Sequence, residues 1–211
     1  MDPRLNRKIR KIIAPFRRFG LKKDFTIFSN NCWGGRLYDK FGMIYNSPTI
    51  GLAINTIEFL NFVKNYKKYI NYELKPISYE QIKINNEHGS YKCNLDDITI
   101  NFIHYRNIDD AINKWNRRTK RIKDDNIIVK VTYVPNPYFT KEEFISCFSK
   151  IKYKKICFTT DESLLNETKM GRVVYFKNAK IDENYGIVDE FRLSDKLLSL
   201  KELKCIINEE E

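Results

Sequence analysis

The chain has 211 residues and a mass of 25.2 kDa, enough for one domain with its own core and too little for two independent ones. Its 42% hydrophobic and 14% aromatic content, with only 8 Gly and 6 Pro, excludes wholesale disorder and collagen-like or linker-like composition. The net charge of +11 is uneven, because residues 1–23 carry nine basic side chains against one acidic, so the high pI belongs mostly to an amino-terminal arm and the rest is an ordinary surface.

In chain order, residues 3–18 place Leu5, Ile9, Ile12, Ile13 and Phe16 at helical spacing among Arg and Lys, which predicts a basic amphipathic helix. Domain organisation follows: a basic arm over 1–22 and a single α/β domain over 23–211. The run FTIFS (25–29) predicts a buried strand, followed by the turn NNCWGG, and residues 56–69 predict one helix. Short strands or loops are expected over 76–97, with His88 in a polar loop, and ITINFIHY (98–105) has the β-branched and aromatic content of a strand. Asn107 can cap the helix that follows, with Asp109 and Asp110 at its positive end and Arg117, Arg118, Lys120 and Arg121 near its negative end. A strand at 127–134, a helix opened by the capping box Thr140-x-x-Glu143, a strand at 155–159, a short helix near Asp161, a strand at 172–176 and a last helix over 194–207 complete the pattern.

Alternating strands and helices predict an α/β fold with a mainly parallel sheet flanked by helices. Ligands in such folds collect outside the carboxyl ends of the strands. Three strand ends therefore matter, at Ser29–Cys32, at His104–Arg106 and at Thr159–Asp161, and all three share one edge if their strands are parallel.

No apolar run of about 18 residues and no secretory leader is present, so neither a membrane-spanning helix nor ordinary secretion is expected. The five cysteines, Cys32, Cys93, Cys147, Cys157 and Cys205, are odd in number, form no C-x-x-C pair, and have only two histidines to join them. Disulfides and a bound metal are not expected, and a reducing cytoplasm fits.

Cys32 is the candidate nucleophile, since free N–H groups and the dipole of a helix amino terminus lower a thiol pKa. Asn30, Asn31, Trp33, Gly34 and Gly35 form the turn that would supply or shape an oxyanion hole. A structural cysteine packed beside Trp33 fits the same position. His104 is the candidate base, with Asp161 as orienting third group and Asp109 and Asn107 as rivals. Arg117, Arg118 and Arg121 offer forked donors for a phosphate or acidic sugar, or else form a solvated helix face. The arm suits an anionic membrane surface. Nucleic acid is not an expected partner, and no G-x-G-x-x-G, P-loop, G-x-S-x-G or H-E-x-x-H motif is present.

The strings FTIFSNNCWGGRLYDKFGMIYNSPTIGL (25–52) and HYRNIDDAINKWNRRTKRIKDDN (104–126) resemble a bacterial family of unknown function often labelled exopolysaccharide or capsule biosynthesis protein, over about residues 24–205 with the arm outside. A second resemblance, to papain-like cysteine peptidases and capsule acetyltransferase-like proteins, rests on the Cys after the first strand and the His before a helix ending in RR-x-x-R. It implies Cys32 as nucleophile and His104 as base. It further implies a thiol-dependent acyltransferase or hydrolase with an acyl donor such as acyl-CoA and a glycan or glycolipid precursor as acceptor. The true papain context C-G-S-C-W is absent. The expected place is the cytoplasm, peripheral at the inner membrane face through the arm. Two alternatives stand beside this: a non-catalytic subunit docking on a glycosyltransferase or membrane through residues 1–22, and a nucleotide-sugar-dependent glycosyltransferase-like enzyme.

Overall fold

The computed structural model describes residues 12–21, 24–84, 88–182 and 186–209. A helix, α1 (12–18), precedes β1 (Thr26–Ser29) and α2 (Trp33–Phe41). Then follow β2 (Leu52–Ile54), α3 (Thr56–Lys64), α4 (Tyr66–Tyr69), β3 (Lys75–Ile84), β4 (His88–Leu95), β5 (Ile98–Phe102) and α5 (Ile108–Thr119). The second half holds β6 (Ile127–Tyr133), α6 (Lys141–Ser149), β7 (Lys154–Thr159), β8 (Arg172–Tyr175), the short pair β9 (Ile181–Asp182) and β10 (Gly186–Ile187), α7 (Glu190–Leu197) and α8 (Leu200–Asn208).

The predicted α/β architecture with a parallel sheet flanked by helices is the architecture observed. The parallel sheet has the order β1-β6-β7-β8. All seven residues of β6 are buried, as a central strand covered on both faces requires. Because side chains alternate across a strand, Phe28, Val129, Val131 and Tyr133 enter one core while Ile27, Ile128, Ile156 and Phe158 enter another. The first core is shared with α3, α5 and α6, where Tyr133 stacks on Phe144 at 4.3 Å between ring centroids. The second is closed by α2 and α8.

A second, antiparallel sheet, β2-β5-β4-β3, was only partly foreseen. Residues expected as short strands or loops form the β3–β4 hairpin, and His88, expected in a loop, starts β4 opposite Ile84. The strand before His104 therefore belongs to this sheet and pairs antiparallel with β2 and β4, so the three strand ends do not share one parallel edge.

Two expected long helices are each broken in two. The 56–69 segment breaks at Asn65, and the last helix starts earlier, at Glu190, and breaks at Leu198-Ser199, where Ser199 and Glu202 form a second capping box. The Thr140–Glu143 box and the Asn107 cap form as expected. Of the amphipathic helix expected over 3–18, the part before residue 12 lies outside the described residues.

Candidate functional site

The carboxyl end of β1 carries the site, and Asn30 ties that end to both sheets. Its side chain donates to the Thr132 carbonyl at 3.0 Å and accepts from the Thr132 amide at 2.9 Å, extending the β1–β6 ladder by one residue. Its carbonyl accepts from the Ile54 amide of β2 at 3.1 Å.

Asn31 is saturated. Its Oδ1 accepts from Ser29 Oγ, from the Trp33 amide at 3.2 Å and from Lys130 Nζ at 2.9 Å, while its Nδ2 donates to Thr132 Oγ1 at 2.9 Å and Glu190 Oε2 at 3.0 Å. Both amides expected to shape an oxyanion hole are thus committed to holding the turn. The first free N–H of α2 is also spent on Asn31, which acts as its cap through a side chain one residue before Cys32.

Gly34 and Gly35 are not a flexible pair. Both are buried, and a Cβ at Gly34 would sit 3.3 Å from Ile27 and Ser29 side chains, one at Gly35 3.0 Å from Ile50. They let α2 lie directly on β1. Trp33 packs edge-on to Phe158 and donates its Nε1 to Ser194 Oγ at 2.9 Å, joining α2 to α7.

Beneath this turn lies a charge pair that sequence reasoning missed. Lys130, wholly buried in the middle of β6, donates to Glu190 Oε2, Thr132 Oγ1 and Asn31 Oδ1, and Thr132 donates onward to Glu190 Oε1. The ammonium also lies 4.8 Å from the Phe158 ring centroid. Burial pulls the Lys130 pKa down, and the Glu190 carboxylate opposes that pull. The available signal was a lone Lys in IIVKVTY, since a charge inside an otherwise apolar strand requires a buried partner.

Above the pair opens a cleft of about 560 Å³, walled by Asn31 and Cys32 of the turn after β1, by Trp33 and Arg36 of α2, by Ala53 of β2, by Ile103 and His104 just past β5, and by Asp189, Glu190 and Arg192 at the start of α7. Cys32 and His104 therefore face one cavity although they come from different sheets. His104 is exposed, and its backbone is held by the Gly51 carbonyl at 3.2 Å.

The SPT-x-GL segment explains that placement. Thr49 Oγ1 accepts from the Ser29 amide at 3.0 Å, and Tyr105, next to His104, donates its hydroxyl to the Ile50 carbonyl. Arg118 also donates to the Ile50 carbonyl, at 3.0 Å, and to the Tyr105 hydroxyl at 2.7 Å.

Arg118 is thus buried, bonded through Nη1 to Ile50 and Tyr105, and absent from the cleft lining, which argues against it as an anion receptor there. Arg117 and Arg121 stand on α5 and its end, away from the cleft lining. The guanidiniums that do face the cleft are Arg36 and Arg192, and among the described residues neither forms an ion pair with a carboxylate. Asp161 caps the turn after β7, accepting from the Ser163 amide at 3.0 Å and the Ser163 hydroxyl at 2.6 Å, and does not line the cleft. The rival orienting groups stay local too: Asn107 caps α5, and Asp109 lies exposed in its first turn. Asp189 lines the cleft with φ at +54°, a left-handed backbone that Asp tolerates better than most residues.

The electrostatics of Cys32 also run opposite to the sequence expectation. Burial pushes its thiol up to about 11, with Arg36 and Lys130 pulling it down and Glu190 adding to the rise. With the Trp33 N–H already given to Asn31, the amino terminus of α2 does not offset the loss of water.

A family model described as a domain of unknown function, DUF1919, matches residues 5–198. The match takes in most of the basic arm, which the resemblance had left outside, and ends before α8. A Haemophilus influenzae protein described as uncharacterized is 29% identical over 135 residues, which is 64% of this chain and 61% of that one. The chain thus spans about three fifths of that relative.

Proposed function

The chain belongs to the DUF1919 family, and from that membership and the cleft we propose that it is a thiol-dependent group-transfer enzyme acting on a glycan or glycolipid precursor in surface-polysaccharide synthesis. The single observation that carries the reading is that Cys32 and His104 line one cleft from two different sheets. The resemblance of the SNNCWGG and SPT-x-GL segments supplies the polysaccharide setting.

In this reading the Cys32 thiol gives its proton to the His104 imidazole as its sulfur bonds the carbonyl carbon of an acyl thioester. The donor's carbon–sulfur bond breaks, and the imidazolium returns the proton to the leaving thiolate. An acceptor hydroxyl then attacks the acyl-cysteine, again losing its proton to His104, and Cys32 departs as thiolate and is reprotonated. Arg36 and Arg192 receive the anionic part of the donor, in place of Arg117, Arg118 and Arg121. Because burial pushes the thiol up to about 11, its proton is taken by His104 as the donor carbonyl meets the sulfur.

The test is intact mass and peptide mapping after incubation with acyl-CoA thioesters. An acyl adduct at Cys32 is expected, absent in Cys32→Ala and slower to form in His104→Ala. Acylation confined to the exposed Cys205, with none at Cys32, removes the catalytic reading.

One observation favours a second reading, a non-catalytic binding subunit. Burial pushes the Cys32 thiol up to about 11, which keeps it protonated near neutral pH. On that reading Cys32→Ala is silent in cells, whereas replacing Arg36 and Arg192 abolishes function.

A further inference from the structure

The helix α1 is docked the wrong way round for a soluble protein. Its small residue Ala14 is buried at 4% exposure, while Ile12, Phe16 and Phe19 are 68%, 77% and 85% exposed. These three follow the i, i+4, i+7 spacing of one helix face, so the apolar side that composition assigns to a core points to water.

The docking is specific. Ala14 lies so close to Gly42, the left-handed cap of α2, that a Cβ there would come within 2.5 Å of the Ala14 methyl. Beyond the helix, Lys204 of α8 donates to the Phe19 carbonyl at 2.6 Å and Asn208 donates to the Gly20 carbonyl at 2.7 Å. The described part of the arm is therefore held at Ala14 and again at Phe19–Gly20, with Phe16 and Phe19 exposed. Ile44, 68% exposed, lines a pocket with Arg18, Asp24 and Gly42.

We propose that this face is a docking surface for the anionic headgroup and acyl boundary of a phospholipid bilayer. Four large apolar side chains exposed together need a partner that is apolar in depth. Charge then selects which one. Arg17 and Arg18 flank the aromatics, and residues 1–23 carry nine basic side chains against one acidic, so the field at this end attracts a negatively charged surface. A bilayer interface offers both in the right order, with anionic headgroups outside and hydrocarbon a few ångströms within. Ala14 meets Gly42 at the carboxyl end of α2, whereas the cleft holds Cys32 and Trp33 at its amino end. The inference is independent of the chemistry proposed for Cys32.

Co-sedimentation of the full chain with vesicles of phosphatidylcholine alone, and of phosphatidylcholine mixed with phosphatidylglycerol, tests it. The wild type is expected to pellet with the anionic vesicles, to be released by high salt, and to ignore the neutral ones. The double variant Phe16→Ser/Phe19→Ser is expected to lose about tenfold or more in partitioning, with circular dichroism and thermal midpoint unchanged because both side chains are exposed. Arg17→Ser/Arg18→Ser is expected to weaken binding and reduce its salt sensitivity. Failure of the wild type to bind anionic vesicles, or equal binding by the Phe16/Phe19 variant, overturns the proposal. A wild-type dimer in light scattering that the Phe16/Phe19 variant converts to monomer, without vesicle binding, assigns the face to a second copy of the chain instead.

Discussion

The two ends of α2 solve the burial problem in opposite ways. At the amino end, Asn31, Lys130, Thr132 and Glu190 are packed beneath the cleft with every charge answered by a partner. At the carboxyl end, Gly42 receives only the Ala14 methyl, and the large apolar groups of α1 are left outside. Polar groups taken from water are costly unless paired, so at the first end removing one partner alone is penalised. At the second end Leu37, Tyr38 and Phe41 of α2 are buried, but α1 has spent little of its own apolar surface on folding.

The contrast can be broken most severely at Lys130. Replacing it with Ala leaves the Glu190 carboxylate buried without its cation and is expected to cost about 3–5 kcal/mol in urea unfolding. The double replacement Lys130→Met/Glu190→Leu is expected to restore most of that loss, because Asn31 keeps Ser29, Trp33 and Thr132 as partners. At the other end, Gly42→Ala must place a Cβ on a backbone at φ +60° and against Ala14. It is expected to cost about 2–3 kcal/mol in the same experiment. Trp33→Phe removes the bond to Ser194 and is expected to cost about 1–2 kcal/mol.

Titration separates the two ends further. The Cys32 thiol is raised in the folded chain from an ordinary 9.0 to about 11, so the unfolded chain releases its proton first as pH climbs. The contribution of Cys32 to stability is therefore complete below pH 9 and lost between 9 and about 11. Unfolding curves of Cys32→Ala are expected to decline less steeply over that window than wild type, and iodoacetamide is expected to modify Cys205 at neutral pH while sparing Cys32. The smallest effect is expected at the exposed end, where Phe16→Ser should change stability by no more than about 0.5 kcal/mol while reducing vesicle binding.

The parallel sheet was legible because β1, β6, β7 and β8 are short apolar runs bounded by turn residues and separated by helical periods. The breaks at Asn65 and Leu198 were less visible, since hydrophobic periodicity continues across them. The S-x-x-E signal at Ser199 was present in the sequence and marks the second break. Residues 75–95 were obscured for another reason. Their polar and charged content suits strands with a solvated face, which composition does not separate from loops.

For the candidate site, residue type pointed to Cys32 and His104, and both line the cleft. The same reasoning also chose Asp161, which caps the turn after β7, and Arg118, which is buried against Ile50 and Tyr105, and neither lines the cleft. Carboxylates and guanidiniums have one chemistry on the surface and another when their hydrogen bonds are taken up inside the fold, and linear spacing carries no record of which applies.

Sequence by itself determined the α/β class, the capped helices and the separation of a basic arm from a nearly balanced body, because propensity, capping and charge are local properties. Tertiary structure alone decided that His104 comes from an antiparallel sheet, that Lys130 meets Glu190 across 60 residues of chain, and that α1 turns its aromatics outward. Each of those depends on which distant surfaces exclude water from one another, and that is settled only when the whole chain has packed.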